Sequence, residues 1–347
     1  MKAIIYDQFQ GPLRYEEVAD PVPDKQGVVL EVGATGLCRS DWHGWMGHDS
    51  DIILPHVPGH ELAGKIVALG SDVQHWKRGD RVTLPFVCGC GNCPQCQSGN
   101  QQVCDHQFQP GFTHWGSFAK YVAINYADQN LVRLPDAMSF TTAASLGCRF
   151  ITAYRGLVAR GGIMPNDWVA VHGCGGVGTS SIMIAKSFNA NVIAVDIDNE
   201  KLDFAKSIGA DYGLNASEQH NIIDAIKDIS DGGVHISIDA LGSHTTCVNS
   251  IRSLRKRGKH IQIGLLPGKQ GHPKIPMDIV ISNELEILGS HGMQAHKYPE
   301  MLVKIESRIL KPDLLIGNTV HLTDVVHLLP DMHHFSGSGV SVINKFN

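Results

Sequence analysis

Cys38 offers a thiol, and 22 residues later His60 and Glu61 set an imidazole beside a carboxylate. Thiolate sulfur with imidazole nitrogen is the donor set zinc prefers, and a catalytic zinc takes three protein ligands while keeping one position open. Ligands this far apart cannot share one turn of helix, so a fold has to assemble them. By itself such a pair is more often a buried thiol and a capped histidine of structural use. Two further clusters change the balance.

The first is Cys90-x2-Cys93-x2-Cys96-x7-Cys104. Four thiols at these spacings let one loop wrap a tetrahedral ion, and four thiolates leave no open position, which is the signature of a structural zinc. An iron–sulfur cluster is the other four-thiolate option, disfavoured by the short separations and by the lack of other electron-transfer features. Cys88 stands outside the pattern and is read as a bystander. The second cluster is Gly173-x-Gly175-x-x-Gly178 in WVAVHGCGGVGTSS, where a strand pattern meets a helix pattern. Such glycines allow a tight turn and close backbone approach to a pyrophosphate, which the helix N-terminus then attracts. Asp196 closes the next strand, 18 residues past Gly178. A carboxylate there can accept both ribose hydroxyls of NAD and repels a 2′-phosphate, and Ile197 and Asp198 bring no arginine to neutralise one. The expected dinucleotide set is Gly173, Gly175, Gly176, Gly178, Asp196 and Lys201.

The elements that must hold these groups fall into two patterns. Residues 1–130 read as short strands between Gly/Pro turns, namely KAIIYDQF, GVVLEVGATGLC, LAGKIVALG, DRVTLPFV and FAKYVAI. That spacing suits an antiparallel, barrel-like domain. Helices are expected over Ser139–Ala153 and Arg155–Arg160. From Trp168 strands and helices alternate: strands at Trp168–His172, Val192–Asp196, Asp211–Leu214, Val234–Ala240, His260–Leu265 and Ile287–Ser290. Helices at Val177–Phe188, Glu200–Ile208, His220–Ile229 and Thr245–Lys256 lie between them. Such alternation implies a parallel, doubly wound sheet. The basic run Arg252–Lys259 is read as the C-terminal end of the last of these helices. Beyond Met301 a helix and the strand Gly339–Asn344 are expected to return to the first domain.

Composition narrows the function classes. A chain of 347 residues is long enough for two domains. With 43% hydrophobic and 18% charged residues and a net charge of -5, it is globular and carries no nucleic-acid footprint. No apolar run is long enough to span a membrane, and the first residues do not resemble a signal peptide. Five of the nine cysteines fall between Cys88 and Cys104, a crowding that argues for reduced thiols on metal and a cytoplasmic protein.

Together these features resemble the zinc-dependent alcohol dehydrogenases of the medium-chain dehydrogenase/reductase family, over essentially the whole chain. GHELAG (59–64) is similar to the family's GHE-x2-G signature, and Cys38-Arg39-Ser40-Asp41 is similar to its first zinc-ligand turn. The resemblance implies an α/β fold: a GroES-like β-rich catalytic domain (1–149) with both zinc sites, a Rossmann domain (150–291), and a C-terminal segment (292–347) returning to the first. It implies that Cys148, in SLGCRFITAY, joins Cys38 and His60 on the catalytic zinc, with Glu61 able to approach the metal and Asp41 orienting His60. It gives Ser40 and His43 a proton relay from an alcohol that zinc has made more acidic. Arg39 matches a pyrophosphate contact, Thr152 and Val177 match nicotinamide contacts, and Phe86 matches a substrate-pocket aromatic. Trp45 and Trp115 are further pocket candidates. Two zinc per chain, NAD, a small alcohol or aldehyde and a homodimer or homotetramer are the implied cofactors and partners.

Two departures stand out. The C-terminal arginine that contacts pyrophosphate in many relatives has no counterpart in SGSGVSVINKF, and Cys174 sits inside the glycine turn, read as a packing choice. The remaining histidines, including His333 and His334, are read as surface. A polyol dehydrogenase of the same family is the nearer rival, although it usually has a carboxylate where Cys148 stands. The zinc-free quinone reductases of the superfamily lack both metal sites. A zinc-ribbon binding module joined to a nucleotide-sensing domain is the rival of another class.

Overall fold

The computed structural model describes residues 1–266, 272–334 and 338–346, with the side chains of His333 and His334 outside that set. The surface reading of those two histidines therefore lies outside the described residues. Two sheets organise the rest, and a small hairpin of Lys2–Ile5 with Arg14–Glu17 flanks the first.

The first sheet is built on Val28–Leu37, a β-branched and apolar run buried along most of its length. It pairs antiparallel with Glu61–Leu69, so that Gly36 faces Glu61 across the ladder. Arg81–Thr83 and Val132–Arg133 extend that side, and Tyr121–Ile124 also pairs with Val28–Leu37. On the other side lies Val340–Lys345, with Val342 opposite Gly36, followed by Ile316–His321. These last two strands run parallel to each other, so the sheet is not antiparallel throughout, as the turn-rich N-terminal sequence suggested.

The second sheet has the strand order 212–215, 191–196, 168–172, 234–239, 254–262, 286–289, with every pairing parallel. Order 3-2-1-4-5-6 is the doubly wound dinucleotide-binding arrangement, whose ligand crevice lies beyond the carboxyl ends of the strands where the order reverses. Here that switch falls between Trp168–His172 and Val234–Asp239.

Between the sheets runs a single helical stretch from Phe140 to Gly161. Ser139 caps it by accepting the Thr142 N–H at 3.0 Å, and Gly162 closes it in the left-handed region, φ +64°. Two wide π turns interrupt it, Leu146–Phe150 and Gly156–Gly161. The sequence suggested two separate helices here; the structure shows one rod with two widened turns, and Cys148 lies in the first. A shared apolar core runs from Ala34 and Ala63 through Leu146, Phe150 and Ile151 to Val169 and Ala194. That core holds Cys148 against the first sheet.

One expected element is wrong. The helix His244–Arg252 stops four residues short of Lys256, and the basic run from Leu254 onward belongs to the strand Leu254–Gln262. Arg255, Lys256 and Arg257 are exposed, and Arg257 takes a left-handed φ of 61°. A shift of register between Val234 and Ile236 absorbs the extra residues as a bulge.

Candidate active site and metal centres

Asp41 ties Cys38 and His60 together. Cys38 ends the strand Val28–Leu37 and caps the helix Arg39–Trp45. Asp41, three residues on and almost fully buried, accepts the Cys38 N–H at 3.0 Å and the Gly59 N–H at 3.0 Å. Its Oδ1 also takes a 2.8 Å hydrogen bond from His60 Nδ1. One carboxylate thus ties the two ligand-bearing segments together and fixes the imidazole tautomer, the service metal-bound histidines usually receive. His60 is fully buried, and its Nε2 has no hydrogen-bond partner. An orphaned buried ring nitrogen is costly unless something accepts its lone pair.

That something fits a cation. Donor atoms of Cys38, His60, Glu61 and Cys148 all lie within 4.8 Å of one another. Two sulfurs, an imidazole nitrogen and a carboxylate suit zinc rather than calcium or magnesium. Cys148 draws Cys38 well below the usual thiol value, and the Cys38 thiolate in turn drives Cys148 well above it. Burial opposes a positive His60, yet the Asp41 carboxylate and the Cys38 sulfur hold it well above the usual imidazole value. The pocket therefore favours one negative sulfur beside a positive charge.

Cys90, Cys93, Cys96 and Cys104 also lie within 4.8 Å of one another and are all buried. The Cys93 and Cys104 sulfurs are 3.7 Å apart, against about 3.8 Å for the edge of a tetrahedron with 2.3 Å zinc–sulfur bonds. Backbone N–H groups of Cys90 and His106 donate to Cys104 Sγ at 3.3 Å each, which favours thiolate. Cys88 is absent from this group and turns its buried sulfur to the Pro85 carbonyl.

The dinucleotide candidates come together at the sheet's switch point. Gly173 adopts φ +94°, and a Cβ on Gly178 would stand 1.8 Å from the Gly173 carbonyl oxygen, so the turn requires both glycines. A cavity of about 370 Å³ is lined there by Gly173, Gly175, Gly176, Val177, Asp196 and Lys201, with Arg39 at the same wall. Asp196 accepts N–H bonds from Cys174 at 2.7 Å and Ile197 at 2.8 Å, which fixes its carboxylate at the strand end. Cys174 is buried with its sulfur toward the Val195 carbonyl, and burial pushes its thiol up, consistent with packing rather than reactivity.

A second cavity, about 560 Å³, contains Cys38, Ser40, His43, His60, Phe86, Cys148 and Thr152. Arg39, Arg149, Val177, Ala240 and Leu241 line both cavities, so the two meet. His43 is partly buried, and its Nδ1 lies 2.9 Å from His48 Nδ1. Burial, with help from Arg39, pulls His43 down to about 4.

Several expectations fail. Trp45 packs in the N-terminal cluster and donates Nε1–H to the Gly11 carbonyl; Trp115 donates to the Pro55 carbonyl. Neither lines the second cavity. Three histidines read as surface, His56, His172 and His260, are buried; they sit at strand positions or bridges inside the packed layers. Sequence reasoning also missed His48, Phe112, His291 and Arg149. Phe112 approaches the His60 ring with centroids 5.0 Å apart, and His291 lies edge-on to Phe86. Arg149 had a signal: a guanidinium next to the Cys148 thiol inside an apolar helical run.

With this geometry in hand, the comparisons with known proteins are decisive. Residues 24–136 match the alcohol dehydrogenase GroES-like domain, and residues 176–307 match the zinc-binding dehydrogenase domain. An alcohol dehydrogenase from Geobacillus stearothermophilus is 35% identical over 295 residues, covering 84% of each chain. The chain belongs to the zinc-dependent alcohol dehydrogenases. Two solved structures agree in fold along the full length: a crystal structure of an NAD-dependent alcohol dehydrogenase (26% identity, TM-score 0.89, 100% of both chains), and a short-chain alcohol dehydrogenase from E. coli CFT073 complexed with NADH (25% identity, TM-score 0.89, 99% of both). The α/β architecture with a GroES-like and a Rossmann domain is thereby that of the family. The zinc-ribbon binding module is set aside, and the polyol reading gains no support.

Proposed function

We propose that this zinc- and NAD-dependent alcohol dehydrogenase oxidises its alcohol at the Cys38–His60–Cys148 centre. The observation that carries this is the junction of the two cavities: the ligand cluster opens into the same space as the glycine turn. Cys38, His60 and Cys148 would hold the catalytic zinc and the four-cysteine loop the structural one. When bound, zinc supplies Lewis acidity toward the alcohol oxygen and NAD supplies the hydride acceptor.

The chain's own groups do the rest. Thr152 lies at the junction, its hydroxyl bonded to the Cys148 carbonyl at 2.7 Å, and with Val177 it forms the wall for the nicotinamide. Phe86 and Phe112 exclude water around His60. Ser40 accepts the alcohol proton and passes it toward His43. A histidine held near 4 is neutral at pH 7 and has a lone pair for that proton, and its contact with His48 offers a way on toward solvent. At the other end, Asp196 receives the adenosine ribose, with Lys201 beside it.

Domain bounds of 1–149, 150–291 and 292–347 are kept as the working division. It is supported by the return of Ile316–His321 and Val340–Lys345 to the first sheet, although 149/150 cuts the long helical rod. Self-association to a dimer or tetramer is supported by the edge strand Glu286–Gly289, where Ile287 and the nearby Ile281 are exposed. Among the described residues no helix is long and apolar enough to cross a membrane, and nine unpaired thiols fit the reducing cytoplasm.

The test is zinc analysis of the purified protein alongside oxidation rates for primary, secondary and diol alcohols with NAD and NADP. About two zinc per chain with NAD-dependent turnover is expected. One zinc per chain with no turnover on any alcohol would overturn the assignment of the centre.

A further inference from the structure

Arg149 follows Cys148 on the wide turn Leu146–Phe150 and is 8% exposed. Its guanidinium clasps Glu61: Nε donates to Oε1 at 3.0 Å and Nη2 donates to Oε2. Nη1 donates to the Leu37 carbonyl at 3.3 Å. A guanidinium carries five N–H donors, so two remain without a protein acceptor among the described residues. The Arg149 backbone N–H also points at Glu61 Oε1, 3.3 Å away, next to that of Cys148 at 3.2 Å.

Two glycines make room for this side chain. A Cβ on Gly176 would come within 2.4 Å of Arg149 Cδ, and a Cβ on Gly36 would come within 2.9 Å of Nη2. The stem of Arg149 therefore lies on the glycine turn while its head holds Glu61. Arg149 lines both cavities. Lys201 stands at the Asp196 end, 3.9 Å from Asp198, which leaves Arg39 and Arg149 as the cations beside Gly175–Val177. The C-terminal residues on this wall, Met332, Gly339, Val340 and Ser341, bring none.

We propose that Arg149 is shared between the Glu61 carboxylate and the phosphates of the dinucleotide, which compete for one guanidinium. This rests on the dinucleotide reading of the glycine turn. Arg149 packs on Gly176 beside Val340, and so brings a cation to the wall where the C-terminal segment brings none. The consequence is a coupling: phosphate binding loosens the grip on Glu61, a carboxylate within 4.8 Å of the other ligand atoms. Conversely, neutralising Glu61 leaves a buried cation with less negative charge against it, which the phosphates of the cofactor can supply.

The experiment is fluorescence titration of the zinc-loaded full chain with NADH. Arg149→Gln should weaken NADH binding roughly 10-fold or more, as loss of a charge-assisted hydrogen bond does, and Arg149→Lys should recover part of it. Glu61→Gln should tighten NADH binding several-fold, and Glu61→Gln/Arg149→Gln should lose that gain and bind as weakly as Arg149→Gln. Because the double variant removes both charges together, it carries the test if Arg149→Gln alone misfolds. If Glu61→Gln weakens NADH as Arg149→Gln does, or if the double variant binds like the parent, the inference is overturned. A parent that binds no NADH would overturn both this inference and the dinucleotide reading; a parent that binds it with unchanged variants overturns this inference alone.

Discussion

The two thiol clusters are built from similar donors and could hardly be assembled more differently. The Cys90–Cys104 loop takes all four thiols from 15 consecutive residues, and its sulfurs meet mainly backbone N–H groups. The Cys38–His60–Cys148 centre draws on the end of one strand, the residue before another and a widened turn of a helix. It also needs Asp41 and Arg149 to hold its carboxylate and imidazole in place. A local cluster can be closed by the metal itself. A dispersed one must be held by the fold, and so can keep a position for substrate.

Breaking the local cluster should have the largest effect. Cys93→Ser is expected to release one zinc per chain and to cost on the order of 5 kcal/mol, since structural zinc contributes directly to folding. Zinc analysis and denaturant unfolding check this. Stability within about 1 kcal/mol of the parent would mean that the loop does not need its metal.

Cys148→Ala should do the reverse, with turnover falling more than roughly 100-fold while the chain stays folded and binds NADH, because three ligands become two. Near-parental kcat would remove Cys148 from the ligand set. Asp41→Asn sharpens the contrast, because the local cluster has no such carboxylate. It should lower catalytic zinc affinity by about 10- to 100-fold, as loss of a partner behind a metal-bound histidine does, and leave the other zinc in place on titration with a chelator. Equal loss of both metals would show that Asp41 supports the fold generally.

His43→Ala tests the open position itself. Burial holds His43 near 4, below its ordinary value, so above that pH it is neutral and can carry a proton in transit without keeping it. Its loss should slow alcohol oxidation by roughly 100-fold or less below about pH 8, and less above, where hydroxide substitutes. Identical pH–rate profiles for variant and parent would rule out the relay. The smallest effect is expected far from either metal. Asp196→Gly with Ile197→Arg should shift the NAD/NADP ratio of kcat/KM toward NADP by about 10-fold with both zincs retained. A parent that already prefers NADP would contradict the reading of Asp196.

The contrast between the clusters also explains what could be read in advance. Cys90–Cys104 and the Gly173–Gly178 turn are chemical statements made by spacing, and both stand where spacing put them. Alternating strands and helices predicted the parallel sheet to within a residue or two at most ends, because each element buries its apolar side in the same layer. Cys148 was reachable only through the family resemblance, since nothing nearby in sequence pairs with it. Arg149 was missed because its partners, Glu61 and Leu37, are neighbours only after the sheet and the helix meet. The same holds for His172 and His260, polar residues that packing, not pattern, takes indoors. The basic run 252–259 misled because charge at a helix end and charge on an exposed strand look alike without the bulge that separates them.

The placement of Val340–Lys345 bears on how the enzyme is made. Gly36, which faces Glu61 on one side, has Val342 on the other. The catalytic sheet thus waits for a strand synthesised after the entire parallel sheet, and pairings of such long range form slowly. On the ribosome the dinucleotide domain can fold first, as contiguous units do. Until the late strand docks, Thr35, Gly36 and Leu37 stand as an open edge just before Cys38, available to a strand of a neighbouring chain.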